Sequence, residues 1–179
     1  MSLFTGKGDG GTTKAFDTAS GVRISKASPL PETLGTLDEL NAWLGFVKMR
    51  AQDTERMAPV LRDVQEKLFI IQAEVAGSDK RLPEGTVKAV EEIVNGIEKE
   101  IPPLKGFSIA GGTELSALLD VARTLARRAE RRTTAVHEEG IRALSDETRA
   151  YLNRLSSLLF ALARLANHLA GVAEENPRY

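Results

Sequence analysis

The chain has no cysteine among its 179 residues, which excludes disulfides, thiolate metal centres, cysteine nucleophiles and dithiol redox chemistry. Histidine is almost as scarce. His137 and His168 lie far apart with no carboxylate at ligand spacing, so both are expected on the surface and neither in a metal site. No charge of one sign prevails: 24 Lys plus Arg against 25 Asp plus Glu give a formal net charge of −1. Bulk nucleic-acid binding and membrane-surface attachment are therefore not expected, and any basic site must be local. No apolar run approaches membrane-spanning length and the first residues carry no apolar signal core, so the expected compartment is the cytoplasm. Alternating apolar and polar residues, internal repeats and domain linkers are missing too, which leaves little room for a sheet.

What is present is helical periodicity. Residues 1–32 hold Gly6, Gly8, Gly10, Gly11 and Gly21 with Pro29 and Pro31, and read as an irregular arm. Helices are predicted over about 33–51, 54–76, 83–101, 113–140 and from a Ser145 cap through 169. Leu37, Leu40, Leu44 and Val47 form the apolar side of the first. Leu152, Leu155, Leu159, Leu162, Ala166 and Leu169 form a 3-4 seam on the last. The fold class is all-α: one domain, with an arm (1–32), a bundle of about five up-and-down helices (33–173) and a tail (174–179).

The fourth helix carries Arg123, Arg127 and Arg131 at i, i+4, i+8, sharing one stripe with Asp120 and Glu130. At about 100° per residue, that stripe spans from about −20° for Glu130 to about +80° for Arg131, measured from Arg123. The apolar side (Leu115, Leu118, Leu119, Ala122, Ala126, Ala129) occupies about −40° to −140°, so the charged band borders the buried face. Guanidiniums in such a place are the forked donors that polyphosphates need, whereas a solvated ladder of Glu130 with its arginine neighbours is the plainer reading.

Two glycine segments accompany the stripe. Thr5-Gly6-Lys7-Gly8-Asp9-Gly10-Gly11-Thr12-Thr13 offers backbone N–H groups and side-chain donors to an anion. No strand can precede its Gly-x-Gly-x-x-Gly spacing, and Thr12 stands where a Walker A loop needs lysine, so neither a Rossmann fingerprint nor a Walker A loop applies. A disordered tail is the competing reading. Gly111-Gly112 opens the fourth helix, where free N–H groups can meet a ligand; a helix connection capped by Thr113, with Phe107 filling the core, is the competing reading there. Asp38 and Asn41, one turn apart, read as solvated helix polarity, whereas Asn153 beside the leucine seam needs a partner.

Five segments in this order resemble the PduO-type ATP:cob(I)alamin adenosyltransferases: Thr5–Thr13, Gly35–Asn41, Phe107 with Gly111-Gly112, Ala122–Arg131, and Tyr151–Ser156. The resemblance implies a ferritin-like five-helix bundle assembled as a homotrimer with intersubunit active sites. It implies transfer of the 5′-deoxyadenosyl group of ATP to cob(I)alamin, with triphosphate released and Mg²⁺ on the phosphates. Thr5, Gly6, Lys7, Gly8, Thr12, Thr13, Lys26, Arg127, Arg131 and Asn153 are the implied ATP contacts, and Arg127, Glu130 and Phe107 the implied catalytic residues. Asp38 and Arg123 match a pair bridging subunits. Phe107, Gly111, Gly112 and Asp120 fall on the corrinoid-facing side, with Phe107 displacing the lower axial ligand of the cobalt. A cob(II)alamin reductase and an adenosylcobalamin-dependent enzyme are the implied protein partners. The sequence departs from the family at Gly6-Lys7 (commonly Lys-Thr), Ala110 (commonly Pro) and Asp120 (commonly His). Ala110 and Asp120 keep open a catalytically silent bundle that binds ATP or corrinoid in a regulatory or carrier role.

Overall fold

The computed structural model describes residues 3–17, 19, 21–52, 54 and 56–179. They form a short antiparallel hairpin, β1 (Thr12–Thr13) and β2 (Ile24–Ser25), followed by α1 (Pro29–Arg50), α2 (Met57–Val75), α3 (Thr86–Glu100), α4 (Glu114–Glu138) and α5 (Asp146–Leu169). Thr12 pairs with Ser25 and Thr13 with Ile24, so the arm holds a minimal sheet where none was expected. Helix α1 packs on α2 and α4, α4 on α5, and α5 on α3.

The helix boundaries follow local chemistry. Helix α1 begins at Pro29 rather than Thr33, because Pro29 and Pro31 occupy the first turn, where an N–H has no helical partner to lose. Pro59 lies likewise in the first turn of α2, which begins at Met57 rather than Thr54. Helix α3 starts at Thr86, because Gly85 adopts φ +84° and the Pro83 carbonyl accepts the Thr86 N–H and hydroxyl in a turn ahead of it. The caps on α4 and α5 are the expected ones: Thr113 Oγ1 accepts the Ser116 N–H at 3.1 Å, and Ser145 Oγ accepts the Thr148 N–H at 3.3 Å.

Leu37, Leu40, Leu44 and Val47 are fully buried, as are Leu155 and Leu159 of the α5 seam; Leu169, at the helix end, is 52% exposed and lies outside it. Every residue from Ala161 to Asn167 is buried, so the second half of α5 is covered all round. Asn41, expected in solvent, is buried on α1 against the bundle. His137 is half-buried rather than free on the surface: its Nδ1 accepts the Leu144 N–H at 3.1 Å and shapes the α4–α5 turn.

One buried charge joins three elements. Glu74 on α2 is 1% exposed, and its carboxylate accepts from the Ser145 N–H (2.6 Å) and hydroxyl (3.2 Å) and from the Thr148 hydroxyl (2.6 Å). Arg81 Nε lies 3.3 Å away as its counter-charge. A carboxylate at the first turn of α5 satisfies donors the helix cannot and opposes the positive end of its dipole. In Glu74→Ala, the Ser145 N–H and Thr148 hydroxyl lose their acceptor, at about 1–3 kcal/mol for each buried donor left unpaired. The expected loss is about 3 kcal/mol, read as a lower urea midpoint with an unchanged slope. Glu74→Gln, which keeps an acceptor oxygen, is expected to lose less; equal losses would mean that the acceptor is not what matters.

Candidate functional site

The N-terminal loop is ordered by its own turns. Gly6 (φ +67°) and Gly11 (φ +73°) take left-handed conformations, the Asp9 N–H donates to the Gly6 carbonyl and the Gly11 N–H to that of Gly8, both at 3.1 Å. Lys26, the residue after β2, closes the loop: its N–H donates to the Gly11 carbonyl at 2.9 Å, and its ammonium lies so near Gly8 that a Cβ there would sit 2.9 Å from Nζ. Lys26 and Gly8, distant in sequence, therefore meet. Arg23 joins them, with Nε donating to Thr12 Oγ1 at 2.8 Å and Nη2 to the Thr12 carbonyl at 2.7 Å. Thr5 and Lys7 are exposed at the loop's start, and Thr13 is half-buried on β1.

The arginine stripe lines a groove of about 350 Å³ between α4 and α5, formed by Arg127, Glu130, Arg131, Thr134, Glu138 and Asn153. Asn153 is exposed rather than pressed into the seam. Its Nδ2 donates to Glu130 Oε1 at 2.8 Å, and its Oδ1 accepts from Arg154, which also binds Glu91. This amide is held on both sides. The remaining α4 arginines are distinguished by their partners. Arg128 pairs with Glu39, Arg132 with Glu32 at 3.7 Å, and Arg123 with Asp120 at 3.1 Å. Arg127 and Arg131, both exposed, make no ion pair among the described residues. Glu130 is engaged by Asn153, so the ladder reading fails where it was to be tested. Two uncompensated guanidiniums face the groove.

A second groove, about 590 Å³, lies alongside and is lined by Leu104, Phe107, Phe160, Arg123, Ser156 and, again, Arg127. Phe107 is 79% exposed, which rules out its reading as core filler. Phe160, four residues after Ser156 on α5, carries the Arg123 guanidinium 5.8 Å above its ring and was not singled out from the sequence.

The loop bearing Phe107 is fastened from behind. Asn167, buried in α5, accepts the Thr113 N–H (2.9 Å) and hydroxyl (3.1 Å) and donates to the Gly111 carbonyl (2.8 Å). Gly112, at φ +103°, has room for no side chain, since a Cβ would lie 2.6 Å from Asn167 Oδ1. Asp120 uses both oxygens inward, accepting the Gly111 N–H (3.2 Å) and Arg123 Nε. It is buried and does not line the groove, so it supports the corrinoid-facing loop rather than presenting itself there. Gly111 and Gly112 likewise shape the loop from outside the groove lining. From the tail, the Glu175 carbonyl accepts the Ile109 N–H (2.8 Å) and Asn176 Nδ2 donates to the Phe107 carbonyl (2.7 Å). An amide at position 167 inside an apolar stretch was the available signal for Asn167; the tail gave none.

Asp38 is exposed on α1, and the carboxylate on Arg123 within the chain is that of Asp120. No hydrogen bond or ion pair among the described residues links the arm loop to Arg127, Arg131 or Asn153. The two halves of the expected nucleotide site are thus each well formed but separate.

The model of the family described as cobalamin adenosyltransferase matches residues 3–166. Over 175 residues the chain is 38% identical to the corrinoid adenosyltransferase PduO of Citrobacter freundii, covering 94% of this chain and 50% of that protein. It spans about half the length of that relative and of its Salmonella typhimurium counterpart. The corrinoid adenosyltransferase of Bacillus subtilis is 34% identical over 181 residues, covering 97% of this chain and 91% of its own. Among solved structures, a substituted PduO-type ATP:corrinoid adenosyltransferase from Lactobacillus reuteri, complexed with cobalamin and ATP, superposes with a TM-score of 0.91 at 29% identity. It covers 99% of this chain and 100% of that one. With nearly the whole bundle matched and the two grooves in place, the chain belongs to the cobalamin adenosyltransferase family.

Proposed function

We propose that the chain transfers the 5′-deoxyadenosyl group of ATP to cob(I)alamin. The observation that carries this reading is that Arg127 lines both grooves, one cationic and one apolar. A triphosphate in the first and a corrinoid in the second would meet at that residue. In the reaction the cobalt attacks C5′, a Co–C bond forms as the C5′–O bond breaks, and triphosphate leaves with the bonding pair. No general base is required. The protein's share is alignment and stabilisation of charge on the departing phosphates, which suits guanidiniums that no carboxylate of the chain already occupies. Arg127 and Arg131 take that role, with Lys7, Lys26 and the Thr5–Thr13 loop wrapping the phosphates. Glu130 holds Asn153, and Asn153 meets the nucleotide.

Phe107, exposed beside Phe160 and Leu104, is suited to displace the lower axial ligand of the corrinoid from an apolar surface. Among the described residues no three His, Asp or Glu side chains converge as a metal site, so the Mg²⁺ we infer is carried on phosphate oxygens, where it neutralises charge. Because no hydrogen bond or ion pair among the described residues links the arm loop to the arginine groove, we infer that a second copy completes each site, as a homotrimer. Asp38 then reaches N–H groups of Arg123 that Asp120 leaves available. No described helix is long and apolar enough to cross a membrane. A cytoplasmic location, a cob(II)alamin reductase and an adenosylcobalamin-dependent enzyme belong to the same reading.

Incubation of the protein with MgATP and chemically reduced cobalamin is expected to yield adenosylcobalamin and inorganic triphosphate; nucleotide binding without product would favour the silent carrier. Arg127→Ala is expected to lower kcat by about 10²–10³-fold, the usual loss for one donor to a developing anion. Its unfolding midpoint should not move, since the residue is exposed, and wild-type turnover would remove Arg127 from the site. Phe107→Ala is expected to impair cob(II)alamin with a reductant more than pre-reduced cob(I)alamin. Equal losses with both would count against the axial-ligand role.

A further inference from the structure

The arm is fastened to the bundle by a pair of residues outside both grooves. Arg142 lies in the turn between α4 and α5, where Nη1 and Nη2 donate to the two Asp17 oxygens at 2.6 and 3.0 Å, and Nε donates to the Val75 carbonyl at 3.0 Å. The turn itself is rigid: the Ile141 and Arg142 N–H groups donate to the Val136 carbonyl, Leu144 N–H to His137, and Ser145 N–H to Glu74. Gly77, just past α2, makes the space. At φ +101°, it has a Cβ position only 2.6 Å from Asp17 Cγ, so the carboxyl occupies the volume a side chain would need.

An exposed ion pair is ordinarily worth little. This one differs because the Arg142 side chain is only 18% exposed, its fork is bidentate and its third donor is used. The guanidinium also holds the Asp17 carboxyl below the usual carboxylate range.

The position of Asp17 gives the pair its use. Residue 17 sits in the connection between β1 and β2, and a ladder of two residue pairs cannot hold a hairpin in place unaided. At its base the hairpin continues into α1, with Ala15 and Leu30 in the core. Its far side is held at Asp17, against the turn that follows the arginine stripe and precedes the helix bearing Asn153. We propose that Asp17 and Arg142 are positioning residues for the nucleotide: they clamp the phosphate-loop arm in its binding conformation so that MgATP does not have to order it. This rests on the nucleotide reading given above. The clamp acts on ATP affinity alone, because neither residue lines a groove.

The test is isothermal calorimetry with MgATP, alongside steady-state kinetics, on the wild type, Asp17→Ala, Arg142→Ala and the double variant. Each single variant is expected to raise Kd and KM for ATP about tenfold, as the fraction of arm in the competent conformation falls. The double variant should be no worse than either single, since one interaction is lost in all three. The kcat at saturating ATP and KM for cobalamin of Asp17→Ala should stay at wild-type values, and Arg142→Lys, lacking the fork, should fall between. ATP binding unchanged in Asp17→Ala would overturn the clamp and leave the function standing. Additive losses, or a fall in kcat with both substrates equally affected, would overturn it as well. A wild-type protein that bound no MgATP would overturn the nucleotide reading and the clamp together.

Discussion

The molecule depends on how closely α4 can approach its neighbours. Ala122, Ala126 and Ala129 are fully buried on that helix, and small side chains there let its neighbours α1 and α5 approach it closely. Residues flanking an alanine face are brought to the edge of the contact whatever their polarity. Arg123, Arg127, Glu130 and Arg131 are the residues in that place. Core packing and the charged grooves are therefore one arrangement seen from two sides: a larger residue at 126 would widen the helix pair and move the guanidiniums with it.

Partners divide the arginines of α4 into two kinds. Arg128 and Arg132 face α1 and find Glu39 and Glu32. Arg127 and Arg131 face the groove with no ion pair among the described residues: Glu130, which also lines it, is turned to Asn153, and Glu138 makes no salt bridge to either. An uncompensated cation pair costs stability unless something anionic arrives, which is why such a pair marks a binding surface better than a run of basic residues does. The arm loop presents a comparable surplus in Lys7 and Lys26, on separate elements.

Much of this was legible from the chain. The apolar spacing of Leu37, Leu40, Leu44 and Val47 defined the inner face of α1, and Ser145 and Thr113 announced their helices because capping is local chemistry. The wheel also placed the stripe at the edge of the core. What failed was non-local, the two prolines excepted. Pro29 and Pro31 were assigned to the arm although a first helical turn suits them. Phe107 was weighed as core filler because nothing in its neighbours says which way a loop aromatic turns. Asp120 counted as a ligand-facing residue, yet its oxygens are taken by Gly111 and Arg123, contacts that only the folded loop defines. Asn41 read as solvated because its burial depends on α2 and α4, not on its own turn.

The fastening of residues 107–112 has a consequence for motion. The loop is held from behind by Asn167, Asp120, Glu175 and Asn176, while Phe107 on it stands exposed. Those attachments come from three places: a buried carboxylate on α4, a buried amide in the last turns of α5, and the tail that follows that helix. Tail and loop thus share two hydrogen bonds, so that opening of either segment exposes backbone groups of the other. Amide protons of Ile109 and of the tail should then exchange with solvent at a common rate, set by that shared opening rather than by either segment alone.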